Sequence, residues 1–208
     1  MDAQGHWNKI YAEKAADAVS WYAPHLETSL ALIERLAGGP AASIIDIGGG
    51  ESTLVDDLLA RGYEDVTVLD ISRVAIEAAR KRVESRVGKA GDGVRWIEAD
   101  ITKCTLEPGV FDLWHDRAVF HFFTNGNDRD AYVEQVSRAV RRGGHVVVGT
   151  FGSEGPLKCS GLNVVRYDAE SMQEAFGARF LLLESSNEWH RTPFGTMQQF
   201  LYCSFGVV

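Results

Sequence analysis

Three groups of residues carry side chains and spacings suited to chemistry. The first is Asp46-Ile47-Gly48-Gly49-Gly50-Glu51-Ser52, which closes the β-branched run that begins Ser43-Ile44-Ile45. Consecutive glycines at a strand end let backbone approach a ligand closely, and Ser52 is placed to cap a helix whose first N–H groups are free. Val66-Thr67-Val68-Leu69 then ends in Asp70 about one helix later, where a carboxylate can accept both hydroxyls of a ribose. The second group is Trp114-His115-Asp116-Arg117-Ala118-Val119-Phe120-His121-Phe122. It offers His115 as a general base, Asp116 as a carboxylate beside a cationic ligand, Arg117 to steer an anionic acceptor and His121 toward the substrate. His115 and His121 are equally readable as strand-end and helix-start residues satisfied by backbone. The third group lies late in the chain: Cys159, in a span with four glycines and a proline, and His190 in the connection His190-Arg191-Thr192-Pro193-Phe194-Gly195. Cys159 is read either as a soft thiolate for a thiophilic substrate or as an ordinary loop cysteine.

The elements that must position these groups alternate. Residues 5–18 and about 25–36 carry apolar residues at helical spacing, separated by Trp21-Tyr22-Ala23-Pro24. Both precede the first strand, so 1–42 is expected to form a helical cap, with Trp21 and Tyr22 either lining the acceptor pocket or stapling the helices. From Ser43 the expected order is strand 43–47, helix 53–61, strand 66–69, helix 73–87, strand 94–99, strand 110–114, helix 129–140 and strand 145–151. This alternation predicts an α/β fold: a single doubly wound, Rossmann-like sheet of seven strands, mostly parallel. The tail departs from it. A helix over 169–176 and strands over 180–188 and 198–205 predict an antiparallel C-terminal hairpin, so 43–208 is read as one catalytic domain beneath the cap.

Composition narrows the partners. At 208 residues the chain suits one α/β domain, and a net charge of −8 argues against a nucleic-acid partner, which would require clustered Lys and Arg. Arg80-Lys81-Arg82, followed by Glu84, reads as a solvated helix face. The N-terminal residues hold no apolar h-region, and no run of apolar residues is long enough to span a bilayer, so a cytoplasmic, non-membrane protein is expected. Cys104, Cys159 and Cys203 are too widely and irregularly spaced for a disulfide framework or a zinc site, and no metal is expected.

Taken together, these motifs make the chain resemble the class I S-adenosylmethionine-dependent methyltransferases. The likeness spans about 43–208. Their glycine motif is Asp-x-Gly-x-Gly-x-Gly; here it is Asp46-Ile47-Gly48-Gly49-Gly50-Glu51-Ser52, with Ser52 replacing the last glycine. The resemblance implies S-adenosylmethionine as cofactor. Asp70, with Ile71 beside it, would sit at the ribose and Asp100 and Ile101 at the adenine. Asp46, Gly48, Gly50 and Ser52 would lie along the methionine part, with Asp116 near its amino group. Glu51 beside the turn, with no basic residue near it, suits a sulfonium better than a pyrophosphate. The segment Trp7-x-x-x-Tyr11 followed by Ser20-Trp21-Tyr22 is similar to small methyltransferases of the thiopurine and tellurite-resistance type, and to a group of protein-lysine methyltransferases.

The expected activity is in-line transfer of the sulfonium methyl to a small-molecule acceptor, with a lean to a thiol or other soft nucleophile. Protein-lysine methylation is the alternative, and a non-catalytic cofactor-binding module a lesser one. The catalytic candidates are His115, Asp116, Arg117, Cys159 and His190, with Trp21, Tyr22 and His121 toward the acceptor.

Overall fold

The computed structural model describes residues 2–208. Seven strands form one sheet: β1 (Ser43–Ile47), β2 (Asp65–Asp70), β3 (Arg95–Glu98), β4 (Phe111–Arg117), β5 (Val140–Phe151), β8 (Phe180–Arg191) and β9 (Met197–Val207). Their order across the sheet is β3-β2-β1-β4-β5-β9-β8. Neighbours from β3 to β5 are parallel, whereas β9 runs antiparallel to both β5 and β8. Two further two-residue strands, β6 (Lys158–Cys159) and β7 (Leu162–Asn163), make a hairpin across Ser160 and Gly161, both at positive φ. The glycine-rich span after β5 therefore does contain paired backbone.

The period of two along the strands sorts side chains onto two faces. Ile44, Val66, Val68, Leu113, Val147, Phe151 and Tyr202 face one core. Ile45, Ile47, Leu69, Trp114, Val146, Val148 and Phe205 face the other. The first face is covered by α2 (Glu27–Leu36), α3 (Leu54–Ala60) and α4 (Arg73–Val87), and the second by α5 (Gly126–Ala139) and α6 (Ala169–Phe176). Leu30 and Ile33 of α2 are buried in the first core, so α2 belongs to the helix layer and not to a cap. The N-terminal helix α1 (Ala3–Glu13) is shorter than the helix expected over 5–18; a separate 3-10 turn follows at Ala16–Ala18.

Other boundaries differ for local reasons. Asn125 caps α5 by accepting from the Asp128 N–H, which starts that helix at Gly126 instead of 129. Ser52 does not occupy the cap position of α3, which Thr53 holds, although its hydroxyl accepts from the Leu54 N–H at 3.2 Å. β4 continues three residues past Trp114, and this extension decides which of its side chains reach the site. No helix among the described residues is long and apolar enough to cross a membrane.

Candidate active site

At the carboxyl ends of β1, β2 and β4 lies a cavity of about 560 Å³. Strand parity selects its wall. Asp46 on β1 sits laterally beside His115 on β4, so both side chains leave the sheet on the first face, and Arg117 follows two residues on. All three line the cavity. Asp116 has the opposite parity and points into the second core.

One half of the wall is acidic: Asp46, Glu51, Asp70 and Asp100, with Gly48, Gly49, Ser52, Ile71, Ile101, Thr102 and Lys103 between them. Gly48 has φ +66, and a Cβ there would meet the Val119 side chain at 2.1 Å; a Cβ on Gly50 would meet Asp70 Oδ2 at 2.8 Å and the Tyr11 hydroxyl at 3.0 Å. Gly50 is thus pressed beneath those two groups and is not itself among the lining residues. Asp70 accepts from the Ser72 N–H at 2.7 Å, while burial, with the nearby Asp46 charge adding to it, pushes its carboxyl up to about 7. Burial also raises Asp100, but hydrogen bonds from Lys103 and Thr102 outweigh it and hold that carboxyl below its ordinary value. Arg82 of α4 fastens the turn from behind, donating to the Glu51 and Ser52 carbonyls at 3.0 and 2.6 Å and pairing with Asp56 at 2.8 Å.

The other half is aromatic and cationic. Trp7, Tyr11, Trp21, Tyr22, Phe122, Cys159 and Arg117 line it. Trp7 packs edge-on against Trp21 and Phe122, with ring centroids 5.9 and 5.1 Å apart. Burial raises the Tyr11 phenol well above its ordinary range, with Asp70, Glu51 and Cys159 adding to the shift. Burial likewise pushes the Cys159 thiol up to about 11, which favours the protonated form at neutral pH and, of the two sequence readings, the ordinary cysteine over the soft thiolate.

Both nitrogens of His115 are engaged. Nδ1 meets Asp46 Oδ1 at 2.7 Å and Nε2 meets the Ser29 hydroxyl at 2.9 Å, with all three residues buried. Asp46, when ionised, can only accept, which puts the proton on Nδ1 and leaves Nε2 accepting from Ser29.

Three expected site residues stand elsewhere. Asp116 accepts from the Val119 and Phe120 N–H groups and from the Tyr132 hydroxyl, at 2.9, 3.0 and 2.6 Å. Burial nevertheless raises its carboxyl to about 6. It is the anchor of the turn after β4, facing α5, and not a wall residue. His121 is fully buried and accepts from the Phe151 N–H at 3.3 Å; burial pushes it down to about 3, so it is neutral. His190 meets the Ser20 carbonyl at 2.9 Å and ties the final hairpin to the N-terminal segment. None of the three is among the cavity-lining residues.

Two residues the sequence reading passed over are Ser29 and Tyr202. Ser29 is the polar exception on the stripe Leu26, Leu30, Ile33, and it reaches His115. Tyr202 carries the parity of Phe200 and Ser204 on β9, and its ring fills the space left by Gly149 on the adjacent strand.

A family profile described as "Methyltransferase domain" matches residues 45–148. The chain belongs to the methyltransferase-domain family. Among curated proteins it is similar to the eEF1A lysine and N-terminal methyltransferase of Mus musculus, at 25% identity over 142 residues, 68% of this chain and 19% of that protein. The Drosophila melanogaster homolog is 24% identical over 148 residues, 68% of this chain and 21% of the other. The chain thus spans about a fifth of the length of the curated relatives it matches. Among solved structures, one described as "Conversion of a Disulfide Bond into a Thioacetal Group during Echinomycin Biosynthesis" shares the fold with a TM-score of 0.78 and 20% identity, covering 98% of this chain and 91% of that one. The Burkholderia thailandensis 1,6-didemethyltoxoflavin-N1-methyltransferase, with bound S-adenosylhomocysteine, follows with a TM-score of 0.70 and 16% identity over 99% of this chain and 84% of that one.

The methyltransferase's wall fits its cofactor. The five carboxylates that line the cavity, Asp46, Glu51, Asp70, Asp100 and Asp128, suit a cationic adenosyl sulfonium, and Asp70 has the chemistry to accept from ribose hydroxyls. Among the described residues no group of three His, Cys, Asp or Glu stands close enough to hold a metal ion.

Proposed function

We propose that this methyltransferase moves the sulfonium methyl to a small-molecule acceptor whose nucleophile is a thiol or another soft atom able to ionise unaided. The carrying observation is that the histidine beside the reacting region has no free nitrogen: His115 is closed by Asp46 and Ser29. Cys159 and Tyr11 hold their protons, so neither supplies a base at neutral pH. Acceptor ionisation then decides the rate. At pH 7.5 roughly a tenth of an ordinary thiol is ionised, whereas only about a thousandth of a lysine amine is deprotonated.

When bound, S-adenosylmethionine supplies a methyl already activated by its sulfonium. The protein's part is to align and to exclude water. Asp70 and Ile71 take the ribose, Asp100 and Ile101 the adenine, and Asp46, Gly48, Gly50 and Ser52 shape the methionine end. Trp7, Trp21, Tyr22 and Phe122 wall the acceptor and keep it dry. In this reading the segment before β1 acts as a cap over the 43–208 domain through α1 and Trp21-Tyr22, while α2 braces His115 from the helix layer. Three free cysteines suit a reducing compartment such as the cytoplasm. The similar fold described for conversion of a disulfide into a thioacetal acts at sulfur, which is in keeping with a soft acceptor.

A second reading, protein-lysine methylation, is favoured by the printed activity of the eEF1A methyltransferases. Labelled S-adenosylmethionine separates the two when offered with a panel of thiols, sulfide, selenite and arsenite, and in parallel with a protein lysate. Label in the small-molecule fraction is the expected result. Label confined to protein would replace the first reading by the second.

A further inference from the structure

Arg117 distributes its donors unevenly. Its Nε donates to the Tyr202 hydroxyl at 2.9 Å and its Nη1 to the Trp21 carbonyl at 2.8 Å, while the Phe200 ring lies 4.3 Å from the guanidinium carbon. Nη2 is buried and has no hydrogen-bond partner. No carboxylate pairs with Arg117 among the described residues. A desolvated guanidinium N–H left unmatched is costly, and since Arg117 lines the cavity without a carboxylate beside it, its charge is left to be met by a group the ligand brings.

The surroundings say what that group is. The carboxylates of the cavity are Asp46, Glu51, Asp70 and Asp100 on the donor half, with Asp128 near Lys103. On the acceptor half the charges felt by the Cys159 thiol are those of Arg117 and Lys14, both positive. Between them stand the rings of Trp7, Trp21 and Phe122. A cationic edge on an aromatic wall matches a flat body with a negative substituent, and repels an ammonium.

The guanidinium is also held in advance. Tyr202 accepts from Arg117 Nε and lies beside the Ser29 hydroxyl, which meets His115 Nε2, while His115 Nδ1 meets Asp46. These contacts run from the cation of Arg117 to the carboxylate of Asp46 and hold the guanidinium in place.

We propose that Arg117 forms an anion subsite, with Tyr202 and Ser29 as its positioning residues, and that the acceptor is a small aromatic molecule carrying a carboxylate-like group that pairs with the guanidinium in the cavity wall. This rests on the small-molecule reading above and names the class of acceptor within it.

Benzoate and benzamide test it without turnover, since they share shape and differ in charge. Each is titrated into the wild-type complex with S-adenosylhomocysteine, followed by the fluorescence of Trp7 and Trp21 in the wall. Benzoate is expected to bind at least fivefold more tightly than benzamide. In R117Q the two affinities should converge. In Y202F and S29A the ratio should shrink, where a merely structural loss would weaken both probes alike. Equal affinities in the wild type, or no binding of benzoate, would overturn the subsite, and that comparison requires no variant to fold. Transfer of label to thiols is scored separately. Its failure beside a preserved benzoate preference would remove the soft-nucleophile reading and leave the subsite standing.

Discussion

Asp46 and His115 are lateral neighbours on parallel strands, and their side chains meet at 2.7 Å between Oδ1 and Nδ1 on the face that lines the cavity. With Ser29 on the remaining nitrogen, the imidazole is a braced wall group. Its engagement changes what the reaction's pH dependence should report.

For a thiol acceptor, kcat/KM should rise with the ionisation of that thiol. Two acceptors whose thiol pKa values differ by about two units should give profiles displaced by the same amount. A midpoint near the ordinary histidine value of about 6.5 for both, lost on His115→Asn, would restore His115 as the base.

Ser29→Ala strips the buried Nε2 of its partner. An unmatched polar atom of this kind costs about 1–3 kcal/mol, to be read from denaturant unfolding. Ser29→Thr keeps the hydroxyl and should recover part of the loss.

Asp70 gives opposite slopes for binding and for stability. Its carboxyl stands at about 7 in the folded protein, above its unfolded value, so the stability it contributes is full at low pH and is lost as pH rises through 7. Ribose hydroxyls donate to the ionised form, so affinity for S-adenosylhomocysteine should climb with pH up to about 7 and then level. Calorimetric titration from pH 5.5 to 8.5 measures this, and Asp70→Asn should flatten the slope while weakening binding. A wild-type affinity that is flat over that range would remove Asp70 from the ribose.

Asp116 is raised to about 6 by burial, so its contribution to stability is likewise present at low pH and is lost as pH rises through 6. Asp116→Asn should remove that part of the pH dependence. Tyr132→Phe takes one of the donors from this carboxylate and should cost about 1–3 kcal/mol of stability, with S-adenosylhomocysteine affinity unchanged because the pair faces α5. A drop in cofactor affinity would place Asp116 in the donor site after all.

Gly48→Ala should lose cofactor binding and about 1–3 kcal/mol of stability, since a left-handed backbone and a 2.1 Å approach to Val119 leave a Cβ no room. An alanine variant of ordinary stability would show that the turn can open.

How much of this could be read in advance followed the kind of signal. β1 and α4 were legible to the residue, because a β-branched run before a glycine turn and a capped helix are local patterns. The reversed final hairpin was legible in kind, from its position after a helix, though its strands extend beyond 180–188 and 198–205 and take in His190 and Arg191 from the expected connection. The site's polar wall was legible only where it followed those patterns: Asp46, Asp70 and Asp100 end strands or begin turns. Asp116 was misplaced because β4 was ended at Trp114. Carried to Arg117, the alternation of Leu113, His115 and Arg117 against Trp114 and Asp116 assigns the faces directly. His121 and His190 were chosen for side-chain type, and whether a histidine faces a cavity or a carbonyl is a tertiary fact. Ser29 and Tyr202 had a weaker trace, a hydroxyl among apolar neighbours. Their partners lie 86 and 85 residues away along the chain, beyond any local rule.

The clasp of His190 on the Ser20 carbonyl joins two stretches that both fall outside the region matched by the family profile, 45–148. The acceptor wall draws Trp7, Tyr11, Trp21 and Tyr22 from one stretch and Cys159 from the other, whereas the acidic donor wall comes from within the matched region. The acceptor wall is thus shared: Arg117 and Phe122 come from the matched region and the remaining rings and Cys159 from the two outer stretches. Because His190 clasps Ser20, a change in one outer stretch is felt by the other, whereas Arg117 and Phe122 stay fixed by the strand and turn of the matched region.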